Sequence, residues 1–240
     1  MLARVAIAIV VEVGYAYITR GYLAYLPSGL ASELAVTGVR LVTIPIHWAL
    51  FKDVIRSRAR GPVTAAEPGT RRWWLHPVFA GGVLVLMAAS AITPDIPRGW
   101  PWAFVVLFSI DNVVVAVREE LVYRGVLQTL LERRMRAGRA IALSNVLFLV
   151  YHVGAFDFTP PRMLTILLVG AALGMVYAGT GSLRAPIVLH FVYDTIIVFR
   201  PLMPGPQSLV LSALVEMGLQ IVAVVLLALW LRRVRAARHV

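Results

Sequence analysis

The sequence predicts an all-α protein built as a bundle of about eight transmembrane helices, and its composition, its apolar segments and its arginine clusters support this class. Hydrophobic residues make up 60% of the 240 residues and charged residues 15%, with a mean hydropathy of +0.81. A soluble domain is far less apolar. Apolar segments of roughly 16–24 residues recur along the chain, close to the length that crosses a bilayer. The chain is therefore expected to form a single integral-membrane domain, 1–240.

Proline- and glycine-rich loop signals, such as Pro94-Asp95-Ile96-Pro97 and Pro204-Gly205-Pro206, separate these apolar segments. The fourth segment is too long for a simple crossing, so we expect it to be broken or tilted. The N-terminus has only Arg4 before an apolar run and no small-residue cleavage site after that run, which indicates a first span rather than a removed signal peptide. The predicted spans are 2–19, 34–51, 76–93, 101–131, 140–156, 162–180, 186–200 and 208–231.

The formal net charge of +11 is concentrated in three basic clusters, at 52–72, 133–139 and 232–238. Each cluster follows an even-numbered span, and positive charge next to spans favours the cytoplasmic side. Both termini are therefore expected in the cytoplasm, with the cell inner membrane as the location. The partner of this charge is expected to be the lipid bilayer and its anionic headgroups, not nucleic acid. Without cysteine, disulfides and thiolate metal sites are excluded.

Three polar groups interrupt the predicted spans. Ionisable side chains in a bilayer are costly and persist mainly where they pair or do chemistry. Each group alone is weak support for function. A histidine in a membrane span can simply be a packed, hydrogen-bonded residue, and two polar residues four apart on one helix face can hydrogen-bond to each other. The three groups are Glu119-Glu120 with Arg124, Phe148 with His152, and His190 with Asp194.

The depth of these residues makes their coincidence more informative. At 1.5 Å per residue, Glu119 lies about 18 Å from the cytoplasmic end of the fourth span, and His152 lies at a similar depth in the fifth. His190 and Asp194 lie about 6–12 Å from the start of the seventh span. Three helices are therefore expected to present two carboxylates and two imidazoles to one buried cavity.

In order along the chain, Glu-Glu-x-x-x-Arg, Phe-x-x-x-His and His-x-x-x-Asp resemble the three motifs of the CPBP intramembrane proteases. This family includes the type II CAAX prenyl endopeptidases and the bacteriocin-processing or self-immunity Abi proteins. The resemblance covers about 101–200, which it marks as a catalytic core, and leaves 1–100 as accessory N-terminal spans. It implies that Glu119 is the catalytic carboxylate and that His152 helps it to activate a water. It further implies that His190 and Asp194 face the scissile carbonyl and stabilise the oxyanion.

Supporting roles are expected for the remaining motif residues. Glu120 and Arg124 are interpreted as a structural ion pair, with Phe148 as a further support. Glu12 and Glu216, outside the motifs, are expected to be paired or to lie near a membrane interface.

Asp194 departs from the family pattern, which often has asparagine at this position. An ionised aspartate accepts hydrogen bonds but donates none. Asp194 must therefore be protonated, act through His190 or take another role such as metal ligation. In a metal-dependent mechanism His152, His190 and Asp194 would be the ligands, with zinc as the metal. The glutamate mechanism requires no cofactor.

The leading functional hypothesis is an endopeptidase that hydrolyses a membrane-tethered protein or peptide near the cytoplasmic side. The sequence contains neither His-Glu-x-x-His nor Gly-x-Ser-x-Gly, which disfavours other protease chemistries. A proton-coupled transporter remains an alternative, because buried Glu, His and Asp also build proton relays. A non-catalytic immunity or scaffold protein with the same fold is a third. The sequence predicts neither the oligomeric state nor whether the substrate is prenylated.

Overall fold

A computed structural model describes residues 2–22, 30–59, 76–92, 102–153, 159–199 and 209–236. These residues form eight helices and no strand, which confirms the all-α class, and each helix coincides with one predicted span. The helices are α1 (Leu2–Ala16, continued by the π-helical Tyr17–Tyr22), α2 (Leu30–Ala59), α3 (Pro77–Ile92), α4 (102–132), α5 (Ala137–His152), α6 (Pro160–Thr180), α7 (Arg184–Phe199) and α8 (Leu209–Ala236).

Three helical segments in this part of the chain are long and apolar enough to cross a membrane: Leu30–Arg56, Pro160–Thr180 and Ala213–Ala236. The apolar segment Pro77–Ala89 is shorter. Large apolar side chains such as Val10, Leu84 and Val150 face outward, while arginine and glutamate are buried. This distribution suits a lipid-facing exterior. The number of crossings and the location of the termini stay predictions.

The chain divides into two compact units, one made of 1–57 with 101–158 and the other of 58–100 with 159–240. The first unit therefore contains α1, α2, α4 and α5, and the second contains α3 and α6 to α8. Helices from the N-terminal hundred residues thus occur in both units, and α1 and α2 pack with the first two motif helices. That all of the chain forms one domain stays a prediction.

In the first unit, α4 keeps a continuous helical path and changes its hydrogen-bonding pattern instead of breaking. It is α-helical over Trp102–Glu120, π-helical over Leu121–Gln128 and α-helical again over Thr129–Glu132. All eight residues of the π-helical segment are buried. The Ser144 hydroxyl of α5 donates to the Tyr123 carbonyl over 2.7 Å. Because π-helical turns occur mostly as short insertions and often at functional sites, this one points to the glutamates directly before it.

In the second unit, a tight turn at Gly181 connects α6 to α7. Gly181 has a φ of 67°, and its N–H donates to the Tyr177 carbonyl over 2.8 Å, which ends α6 with a left-handed cap. At the end of α6, Gly179 lies against Trp230 of α8, and a Cβ at this glycine would stand 2.2 Å from Trp230 Cη2. The absence of a side chain therefore lets the two helices approach.

Candidate active site

Glu119 and His152 meet in the first unit. Glu119 lies next to the last residue of the first α-helical segment of α4 and is 5% exposed, and His152 is the last residue of α5. The Nε2 atom of His152 lies 3.9 Å from Oε2 of Glu119. This separation exceeds a direct hydrogen bond, and it is one at which a single water molecule can bridge two polar atoms. The structure thus brings together the two residues predicted to activate a water.

The imidazole of His152 is held in a defined orientation. Its Nδ1 atom lies 2.7 Å from the carbonyl oxygen of Phe148. A carbonyl only accepts, so Nδ1 carries the hydrogen, and in a neutral ring Nε2 presents its lone pair towards Glu119. The Phe148 ring packs edge-on against the imidazole with a centroid distance of 4.4 Å. Phe148 therefore contacts the histidine through both its backbone and its ring.

Glu120 and Arg124 form the predicted ion pair, with Arg124 Nη1 3.0 Å from Glu120 Oε1. Both side chains are buried. The guanidinium carbon of Arg124 lies 4.8 Å from the centroid of Phe148, a distance at which a cation interacts with the ring face. The ion pair and His152 therefore contact the same aromatic ring, so the support expected of Phe148 has a physical basis.

His190 and Asp194 form a second pair, in the second unit. Their Nε2 and Oδ2 atoms lie 3.4 Å apart, and the side chains are 7% and 25% exposed. On the next helix, Gln220 donates to the hydroxyl of Tyr193 over 3.2 Å and to Glu216 Oε1 over 3.1 Å. Tyr193 precedes Asp194, so this contact with α8 holds the part of α7 that carries the pair.

The predicted site residues therefore fall into two sets. The set in the first unit consists of Glu119, Glu120, Arg124, Phe148 and His152, and the set in the second unit consists of His190 and Asp194. That both sets face one cavity stays a prediction.

The metal-dependent alternative requires a set of side chains that can hold zinc. Within either unit, the described residues contain no group of three or more His, Asp or Glu side chains that could hold a metal ion. A catalytic zinc commonly uses three protein ligands, and the pairs Glu119–His152 and His190–Asp194 supply two each. Neither pair fits zinc by itself.

Sequence reasoning missed a second buried cluster, centred on Arg118. This residue is 1% exposed, and its Nη2 atom donates to both carboxylate oxygens of Glu12 over 2.8 and 2.7 Å. Its Nη1 atom donates to the hydroxyl of Tyr151 over 3.0 Å. His47 Nε2 lies 3.1 Å from Glu12 Oε1. The expectation that Glu12 is paired is confirmed. The sequence signal for its partner was a third ionisable residue, Arg118, directly before Glu119-Glu120.

An all-helical chain with apolar outer faces and buried ion pairs is a helical membrane protein. Within it, residues 100–196 match the family model described as type II CAAX prenyl endopeptidase, Rce1-like. The match includes all seven predicted site residues and confirms the family resemblance drawn from the three motifs. No curated protein and no solved structure matches the chain.

Proposed function

We propose that the protein is an intramembrane endopeptidase in which Glu119 and His152 activate a water molecule. The observation that carries this proposal is the 3.9 Å separation of His152 Nε2 and Glu119 Oε2, inside the segment that matches an endopeptidase family. One water between these atoms can donate a hydrogen bond to each of them. The two side chains then fix the position of the water and the direction of its remaining lone pairs.

The reaction follows from this arrangement. Glu119 accepts a proton from the water as its oxygen attacks the carbonyl carbon of the peptide bond. The carbon–nitrogen bond then breaks, and the proton passes to the departing amine, which leaves a new carboxylate and a new N-terminus. His152 acts by holding the water through Nε2, because its Nδ1 hydrogen is engaged by the Phe148 carbonyl.

His190 and Asp194 are proposed to stabilise the oxyanion as a unit. The Asp194 carboxylate lies where it can accept a hydrogen bond from the Nε2–H of His190. A protonated His190 then keeps Nδ1–H as a donor for the negative charge that develops on the carbonyl oxygen. Of the roles open to an aspartate at this position, acting through His190 is the one favoured by the 3.4 Å contact.

The proposed substrate is a membrane-tethered protein or peptide cleaved near the cytoplasmic side of the inner membrane. The family named by the match acts on prenylated CAAX sequences, in which a C-terminal tripeptide follows a prenylated cysteine. A farnesylated CAAX peptide is therefore the first probe, and a palmitoylated peptide of the same sequence is the second. Cleavage of the palmitoylated probe alone would assign the protein to lipid-anchored substrates without a prenyl group.

The test uses the purified full chain in lipid vesicles with both probes. We expect cleavage by the wild type and a loss of at least about a hundredfold in kcat for Glu119→Gln, which keeps the shape of the side chain but cannot accept the proton. Glu132→Gln is the matched control, because Glu132 lies on the same helix about 20 Å further along. Equal cleavage by Glu119→Gln and the wild type would overturn the assignment of the base.

Two further measurements separate the alternatives. Cleavage is expected to survive dialysis against a chelator, and loss of activity restored by zinc would favour the metal-dependent mechanism. Proton-coupled transport predicts instead a vesicle pH change that depends on Glu119 and no cleavage of either probe.

A further inference from the structure

Arg118 links four helices at the position next to the proposed catalytic pair. Its contacts on α1 are the carboxylate of Glu12 and the ring of Tyr15, whose centroid is 3.5 Å from the guanidinium carbon. On α2 its Nε atom donates to the hydroxyl of Thr43 over 3.1 Å, and on α5 it donates to Tyr151. Two of these helices, α1 and α2, lie outside residues 100–196, the segment matched by the family model.

We propose that Glu12, through Arg118, is a positioning residue for the Glu119–His152 pair, and that α1 and α2 therefore complete the active site. The inference rests on the proposed function, since it concerns the same pair. Arg118 precedes Glu119 on α4, and Tyr151 precedes His152 on α5. The Arg118–Tyr151 hydrogen bond therefore joins the two helices one residue away from the catalytic contact.

The geometry leaves the guanidinium little freedom to rotate. A planar guanidinium forms a rigid fork, and here its two branches and its Nε atom contact three different helices. One face of the plane also lies on the ring of Tyr15. The contact of Nη2 with both carboxylate oxygens of Glu12 fixes the direction of the fork, and this direction aims Nη1 at Tyr151.

Glu12 is itself held from a second side. His47 of α2 approaches Glu12 Oε1 with Nε2, and its Nδ1 atom lies 2.8 Å from the Thr43 carbonyl. Both His47 and Glu12 are buried. The carboxylate therefore lies between Arg118 and His47 and takes its hydrogen bonds from Arg118, so that loss of its charge would loosen Arg118 and, with it, Tyr151.

A matched control is available in an ion pair between α4 and α2. Asp111 of α4 is paired with Arg40 of α2 and accepts a hydrogen bond from Thr37 over 2.8 Å. It is buried, as Glu12 is, and it lies about 12 Å from Glu119 along α4. Asp111→Asn therefore removes the charge of a buried carboxylate that pairs with Arg40 and reaches Arg118 indirectly, through Arg40 and Tyr15.

The experiment compares Glu12→Gln with Asp111→Asn in the purified full chain, using the farnesylated and palmitoylated peptides. Glu12→Gln is expected to lower kcat about a hundredfold with KM unchanged, because a small displacement of catalytic groups has an effect of this size. Asp111→Asn is expected to keep kcat near the wild-type value. An equal fall in both variants would overturn the positioning role.

The double variant Glu12→Leu/Arg118→Met separates positioning from folding. It leaves no uncompensated charge in the cluster, so its Tm is expected to exceed that of Glu12→Gln. Its kcat is nevertheless expected to stay low, since Tyr151 then lacks its hydrogen bond from Arg118. Recovery of kcat together with Tm would show that the cluster only stabilises the fold.

Amide hydrogen exchange tests the link between Glu12 and the catalytic pair separately from the proposed function. Glu12→Gln is expected to accelerate exchange across 148–152 relative to Asp111→Asn, because the Arg118–Tyr151 hydrogen bond, one of the links between α4 and α5, is weakened. If the wild type cleaves neither peptide, the proposed function fails while this measurement still decides whether Glu12 holds the pair. Unchanged exchange across 148–152 would overturn the positioning role.

Discussion

The contact between Gly179 and Trp230 gives a quantitative prediction for the second unit. A Cβ added at Gly179 would lie 2.2, 2.4 and 3.1 Å from three atoms of the Trp230 ring. Carbon atoms pack favourably at about 3.5–4.0 Å, so the closest pair overlaps by more than 1 Å. Trp230 is fully buried, and the ring of Phe79 lies 4.8 Å from it. Because the indole has no space into which to retract, Gly179→Ala is expected to destabilise the protein by about 3 kcal/mol, the upper end for overpacked cores.

Gly218→Ala on α8 is the matched control, since no atom lies within 4 Å of its added Cβ. This variant is expected to be neutral or stabilising by up to about 1 kcal/mol, because alanine is the better helix former. Thermal unfolding of the detergent-solubilised protein, followed by circular dichroism, measures both. The double variant Gly179→Ala/Trp230→Phe is expected to recover part of the lost stability, since the smaller ring makes room. Equal melting temperatures for the two alanine variants would refute the steric argument.

Two further predictions concern the motif residues. Arg124→Met leaves Glu120 as an uncompensated buried charge and is expected to destabilise the protein by about 3–5 kcal/mol, while Glu120→Gln/Arg124→Met recovers most of this loss in the same unfolding measurement. A double variant no more stable than Arg124→Met would contradict the ion-pair role. Asp194→Asn keeps an oxygen acceptor for His190 and is expected to retain kcat on the peptide probes within about tenfold, whereas Asp194→Leu removes it and is expected to lose about a hundredfold. Similar activity of these two variants would show that Asp194 does not act through His190.

The sequence predicted those features that depend on neighbouring residues. The eight helices follow from apolar runs with polar punctuation, and the Glu120–Arg124 and His190–Asp194 contacts follow from a spacing of four on one helix. Glu119 and His152 could be placed at similar depth because each lies a similar number of residues from the predicted cytoplasmic end of its span.

Other features could not be predicted, because they depend on contacts between distant segments or on small changes in helical geometry. The partner of Arg118 is 106 residues away on α1, and no local pattern selects Glu12 over other buried carboxylates. The π-helical segment Leu121–Gln128 contains no proline and no other local signal that separates π-helical from α-helical turns. The link from Tyr151 to Arg118 appears only once α4 and α5 are packed.

The Glu12–Arg118 pair has a consequence for biogenesis. Because 106 residues separate the partners, a ribosome elongating at about 5–20 residues per second makes Glu12 roughly 5–20 s before Arg118. A carboxylate entering a bilayer in that interval needs another contact, and His47 on the next helix, with Nε2 3.1 Å from Glu12 Oε1, is close enough to share a proton with it. The first two helices can therefore insert as a hairpin in which His47 contacts Glu12. When the fourth helix inserts, Arg118 becomes the second partner of this carboxylate.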